Sequence, residues 1–187
     1  MSLFGSDKLK GKRVAIVATD GFEQVELTEP QKYLQGEGAE VDVISLKTGT
    51  IKGWDKTDWG NKVDVDKVID DVQVADYDAL VLPGGQINPD KLRLEPTAVD
   101  FVREFAHSGK VVAAICHGPW TLIEAGVVRG KHLTSWPSLK TDLRNAGAEW
   151  QDSEVVVDGN LITSRKPEDL DAFNQKIAEG LLAHPGA

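Results

Sequence analysis

The chain has 187 residues, of which 41% are hydrophobic, enough to build one large core, and a formal net charge of −9 from 30 acidic and 21 basic residues. That balance, without a concentrated run of lysine and arginine, argues against a nucleic-acid surface. No apolar run approaches the length of a membrane span and a single cysteine suits a reducing compartment, so a soluble, cytoplasmic protein off the membrane is expected.

In chain order, residues 1–12 carry lysines around Gly11 but neither the apolar stretch nor the small-residue cleavage site of a secretory signal. They read as a flexible leader before a single α/β domain over residues 13–187. Arg13 to Ala18 is a strand pattern, and Val25 to Gln35 carries apolar residues at helical spacing, closed by Gly36 and Gly38. Val41 to Leu46 and Asp78 to Leu82 give a second and third strand. Between them, Lys47 to Asp76 reads as a hairpin or insertion, with Trp54 and Trp59 either packed beneath it or forming an oligomer contact. Pro96 to His107 is a helix stopped by Gly109, and Val111 to Ile115 is a fourth strand. Helices follow at Pro119 to Ala125 and Leu139 to Ala146. Glu154 to Val157 and Leu161 to Ser164 flank Asp158-Gly159-Asn160 as a tight hairpin, and a last helix runs from about Pro167 to Ala183. Strands alternating with helices predict a mainly parallel sheet with helices on both faces and a small hairpin insertion.

Cys116 stands where the fourth strand ends, followed by His117, Gly118 and Pro119. A strand running into a glycine turn and a helix resembles the elbow that presents a nucleophile at the edge of an α/β sheet. The alternative is a small apolar residue filling the core, where free cysteines usually reside. At an elbow, the helix dipole and free amides would ease thiolate formation and could hold an oxyanion. Leu82-Pro83-Gly84-Gly85 ends another strand in a turn whose main chain can approach a substrate. Gly84, Gly85 and Gly118 are therefore candidates for an oxyanion hole or substrate contact, as are Glu23 and Trp136.

Glu23 and Glu26 lie in the first loop, and either could face the sulfur as a protonated donor or proton shuttle; complementing a helix dipole is the bland reading, and suits Glu23 better. His117 is a candidate base, although adjacent residues at a sharp turn usually diverge. Asp90 is a candidate to orient it. His107, His132 and His184 have no metal-ligand spacing, and no phosphate-binding glycine fingerprint is present, so neither metal nor other cofactor is expected.

The segments Asp20-Gly-Phe-Glu-Gln-Val-Glu-Leu27, Leu82-Pro-Gly-Gly85, Ala114-Ile-Cys-His-Gly-Pro119 and Glu154-Val-Val-Val-Asp-Gly159 together resemble the PfpI intracellular protease family, within the class I glutamine amidotransferase-like superfamily. The resemblance implies a flavodoxin-like α/β sandwich, a homodimer or hexamer, and a Cys116–His117 pair. It also implies that Glu26, four residues before Pro30, contacts the sulfur, and that Asp90, after Pro89, supplies an acid across a subunit contact, here on a loop one residue longer. Trp136 stands where archaeal protease-like members have tyrosine.

Family members have been assigned peptidase, glyoxalase III and protein deglycase activities. The leading expectation is a stress-response enzyme whose Cys116 thiolate attacks reactive carbonyls, such as methylglyoxal or its adducts on protein or nucleotide, with Glu26 or His117 relaying the proton and the Gly85 and His117 amides holding the oxyanion. The alternatives are a cysteine peptidase and a redox sensor working through Cys116 oxidation.

Overall fold

Residues 5–184 are described here by a computed structural model of the chain. The first half runs β1 (Arg13–Val17), α1 (Gln24–Gly36), β2 (Glu40–Ser45), β3 (Thr50–Asp55), β4 (Asp58–Asp64), β5 (Lys67–Val68) and β6 (Ala79–Leu82). There follow α2 (Ile87–Leu92), α3 (Pro96–His107), β7 (Val111–Ile115), α4 (Pro119–Glu124), β8 (His132–Leu133) and α5 (Lys140–Asn145). The chain then forms β9 (Glu149–Trp150), β10 (Val155–Asp158), β11 (Leu161–Ser164) and α6 (Leu170–Ala183).

Seven strands form one sheet in the order β10-β11-β7-β6-β1-β2-β5, parallel throughout except for the β10–β11 pair. The interior strands are apolar at successive positions because both faces are covered, as parallel sheets require. In β7, Val111, Ala113 and Ile115 join a core shared with Leu27, Leu34, Phe173 and Ile177 of α1 and α6. Val112 and Ala114 point to the opposite core, with Phe101, Phe105, Leu122 and Leu143 of α3, α4 and α5. Each fully buried Val, Leu, Ile or Phe among them contributes about 2 kcal/mol of transfer free energy. This is the expected mainly parallel sheet with helices on both faces.

The elements expected from sequence occur within a residue or two of their bounds, except that the last helix begins at Leu170, three residues later than expected, after a 3-10 turn over Pro167–Asp169; four regions carry more than the sequence showed. Residues 1–4 of the expected flexible leader lie outside the described residues; in the rest of it Leu9 is fully buried and its N–H donates to the Glu37 carbonyl at 2.7 Å, while most of its neighbours are exposed. The Lys47–Asp76 insertion is the β3–β4 hairpin, but the chain then returns through β5 to the edge of the main sheet. α2, unforeseen, occupies the stretch after the glycine turn, and β8–β9 form a parallel pair too short to leave a sequence period. At the β10–β11 turn Gly159 has φ +59° while Asn160 does not enter the positive region, the pattern of a two-residue turn led by glycine.

Candidate active site

The loops leaving the carboxyl ends of β1, β6 and β7 meet over a cavity of about 500 Å³, at the strand edge where open α/β sheets ordinarily hold ligands. Cys116 is the first residue after β7, with φ +62°. For a residue bearing a Cβ that conformation costs about 1–2 kcal/mol. Neighbouring strands and loops hold it: the Cys116 N–H donates to the Ser164 carbonyl at 3.1 Å, and the Cys116 carbonyl accepts from the Trp136 N–H at 2.9 Å. The turn brings two adjacent side chains together, so that Cys116 Sγ lies 3.2 Å from His117 Nδ1. Sequence adjacency alone argued for divergence; the left-handed residue is what reverses it.

The imidazole packs edge-on to Trp120 at 5.0 Å and stacks on Trp136 at 6.0 Å. Burial holds its pKa down at about 4, so it is a neutral base at pH 7. Glu26, in the first turn of α1, is fully buried, and Pro30 lacks the amide that would otherwise bond the Glu26 carbonyl. Its Oε1 accepts the Gly84 N–H at 3.0 Å. Burial first, then the nearby Glu23 charge, raise its pKa to about 8, so it is a protonated acid at neutral pH. Burial also pushes the Cys116 thiol above its ordinary value, with an ionised Glu26 adding to the rise and the Gly85 and His117 amides opposing it.

That electrostatic balance corrects the expectation of an easily formed resting thiolate. The helix after the elbow, α4, has only six residues, and the donors at sulfur are loop amides rather than a helix terminus. Below pH 8 the Glu26 charge is absent, so desolvation, with a smaller push from Glu23, keeps the thiol neutral until the adjacent imidazole takes its proton.

The glycines divide by role. The Gly85 amide faces the sulfur and its φ is +79°. The Gly84 amide is occupied by Glu26, and a Cβ there would lie 2.5 Å from Glu26 Oε1 and 2.6 Å from Cys116 Cβ. Gly118, expected at the oxyanion or substrate, is instead a packing residue: its N–H donates to Ile115 at 2.9 Å, and a Cβ would lie 2.6 Å from the Leu82 carbonyl. Gly84→Ala is accordingly expected to lower the melting temperature by roughly 5 °C or more through overpacking and to slow alkylation of Cys116; unchanged values on both measurements would contradict the contact.

Glu23 lines the cavity, but its side chain does not cap α1; Oε1 accepts the Lys56 N–H of the β3–β4 turn at 3.1 Å, and burial raises its pKa. Trp136 also lines the cavity. Asp90 does not reach His117 within the chain: it lies on the exposed face of α2, paired to Arg93, whose guanidinium sits 4.6 Å over the Trp120 ring. Sequence reasoning missed Trp54, Ile87 and Glu168 as cavity walls. It also missed Asn88, fully buried, which accepts from the Thr19 N–H at 2.8 Å and donates to the Pro83 and Gly84 carbonyls, tying the β1 and β6 loops together. The only available signal was an asparagine beside a proline.

Among the described residues no group of three or more His, Cys, Asp or Glu could hold a metal ion, and no helix is long and apolar enough to cross a membrane. A sequence profile of the DJ-1/PfpI family matches residues 12–180. A deglycase of Pyrococcus abyssi is 47% identical over 167 residues, covering 89% of this chain and 98% of the relative. Protein/nucleic acid deglycase 2 of Escherichia coli is also 47% identical over 167 residues, covering 88% of this chain and 95% of that protein. A solved two-domain protein of Anabaena variabilis, with DJ-1/ThiJ/PfpI-like and ferritin-like domains, superposes with a TM-score of 0.85 at 40% identity, over 90% of this chain and 47% of that one.

Proposed function

The chain belongs to the DJ-1/PfpI family, and from that premise we propose that it is a cysteine enzyme acting on reactive carbonyls, of the deglycase and glyoxalase III type. The observation that carries this reading is the Cys116 sulfur held on a left-handed elbow 3.2 Å from an imidazole that burial keeps unprotonated. A buried neutral carboxyl beside it supplies the complementary acid.

With methylglyoxal, the thiol proton passes to His117 Nδ1 as sulfur adds to the aldehyde carbon. A C–S bond forms and the carbonyl electron pair moves to oxygen, where the Gly85 and His117 amides hold it and Glu26 protonates it. The hydrogen on that carbon then transfers as a proton to the neighbouring ketone-derived carbon, with Glu26 and His117 as carriers. A lactate thioester remains. Water cleaves the C–S bond and restores the thiol, so methylglyoxal plus water becomes lactate without external oxidant or reductant. The same reading takes the protein as a cytoplasmic stress-response enzyme and a homo-oligomer, dimer or hexamer, in which Asp90 approaches His117 across a subunit contact.

Because Cys116 is the sole cysteine, thiol alkylation is site-specific and provides the test. Lactate formation from methylglyoxal and cleavage of casein are followed before and after iodoacetamide treatment, with occupancy read by intact mass. Lactate formation lost in proportion to alkylation is expected. Full alkylation with an unchanged rate would overturn the reading, and casein cleavage without lactate would replace it with peptide acyl transfer.

A further inference from the structure

A second cavity, of about 240 Å³, opens at the amino ends of β7 and β11, the pole of the sheet opposite Cys116. Val112, Leu122 and Leu161, all buried, give it an apolar lining. Its ionisable lining is basic throughout: His107 at the end of α3, with Arg129 and Lys131 from the loop between α4 and β8, and no aspartate or glutamate. In a chain of net charge −9 that is a local reversal. None of the three side chains makes an ion pair or hydrogen bond with another described residue, whereas Arg13, Arg93, Arg103 and Arg165 are all paired to carboxylates.

Neighbouring carboxylates are engaged or screened. Asp158 accepts the His132 N–H at 2.8 Å and Glu149 pairs with the His132 ring at 3.1 Å. Glu104 and Glu124 are exposed and outside the lining, where water and salt weaken their field. Helix carboxyl ends also face this pole and would repel an anion, but their carbonyls are already bonded. Ala106 accepts from Asn160 Nδ2 at 3.2 Å, Ala125 from Arg103 Nε at 3.0 Å, and Leu122 from the Val127 N–H at 3.2 Å. Arg129 is laid in place by the loop after α5: it runs along Gly147, where φ is +94° and a Cβ would lie 3.1 Å from Arg129 Cγ and Nη1. A guanidinium ordered in advance loses less entropy when it binds.

We propose that this cavity binds a phosphate group, free or as a small phosphomonoester. Arg129 supplies a fork of donors matched to two phosphate oxygens, Lys131 a compact charge and His107 a ring N–H. The volume falls below the roughly 300 Å³ at which pockets for drug-sized ligands begin, so the ligand is small. The apolar lining offers a surface for a body of a few carbons behind the phosphate.

The site is separate from the one at Cys116. The two cavities share no lining residue, and β7 carries the chain about 13 Å from Val112 to Cys116. Binding here therefore stands whether or not the carbonyl reaction does, and it does not require a free thiol.

The test is calorimetric titration of the full chain with inorganic phosphate, glycerol 3-phosphate and acetate, in chloride buffer of constant ionic strength. Wild type is compared with Arg129→Gln/Lys131→Gln and with Lys32→Gln/Lys62→Gln, which removes the same charge from exposed positions outside the cavity. Wild type is expected to bind phosphate or its monoester with a Kd of about 1 mM or tighter, and acetate at least about tenfold more weakly. The cavity variant should lose at least about tenfold in affinity and the control variant less than about twofold. Tighter binding of glycerol 3-phosphate would identify a monoester as the occupant; equal or weaker binding would identify free phosphate. In wild type the His107 ring resonances, assigned through His107→Gln, should shift along the same saturation curve while those of His117 stay in place. Iodoacetamide alkylation of Cys116 should leave the Kd unchanged. No saturable phosphate binding, acetate bound as tightly, equal weakening in both double variants, an unmoved His107 signal or loss of binding on alkylation would each overturn the proposal.

Discussion

Cys116→Ser is expected to reduce lactate formation from methylglyoxal by at least about 10³-fold while leaving the fold in place. Serine keeps the size and the backbone bonds to Ser164 and Trp136 that hold the left-handed elbow. What it loses is the soft nucleophile: a hydroxyl is far less acidic than a thiol, and the imidazole that burial holds near pKa 4 is too weak a base to compensate. Melting temperature separates the outcomes. A rate loss with a melting temperature within a few degrees of wild type assigns the chemistry to sulfur, whereas a variant that folds normally and retains at least a tenth of the wild-type rate would remove Cys116 from the reaction.

Cys116→Ala adds a further distinction. Alanine removes the nucleophile and leaves Glu26 and His117 in place, so any residual carbonyl consumption measures what acid–base catalysis by those two groups achieves without a covalent intermediate. If the alanine variant equals the serine variant, the covalent step accounts for the catalytic gain.

The elements that the sequence made legible are those whose pattern is intrinsic to one segment. The uniformly apolar β7, the Pro96 start of α3 and the glycine-led β10–β11 turn each carry their signal within a few residues. Cys116, His117 and Glu26 were legible for a different reason, because a recognised constellation linked segments far apart in the chain. Local pattern could not supply what depends on distant partners. Glu168 became a cavity wall only because β11 lies beside β7, and Leu9 joined the core only because it reaches the end of α1. The thiol's protonation shows the same limit: an elbow suggested an anion, but the burial that opposes it is a property of the assembled sheet and loops.

Glu26→Gln is expected to lower the rate by about 10²–10³-fold at pH 7 and to remove the alkaline limb of the pH profile. Wild type holds Glu26 protonated up to about pH 8 and His117 unprotonated down to about pH 4, so acid and base forms coexist across that interval. Above pH 8 the rate should fall as Glu26 ionises, because the acid is lost and its charge then opposes formation of the thiolate. Glutamine retains the volume but cannot deliver a proton. Stability should fall with rising pH as well. The folded state keeps the Glu26 proton to about pH 8, whereas the unfolded carboxyl releases it near 4.5, so this contribution is complete below 4.5 and is lost as pH rises to 8. Glutamine has no proton to lose, so denaturant unfolding at pH 5 and pH 9 should show a smaller loss of stability in the variant than in wild type. A variant with the wild-type rate and the same decline near pH 8 would assign that proton to another group and leave Glu26 a packing role.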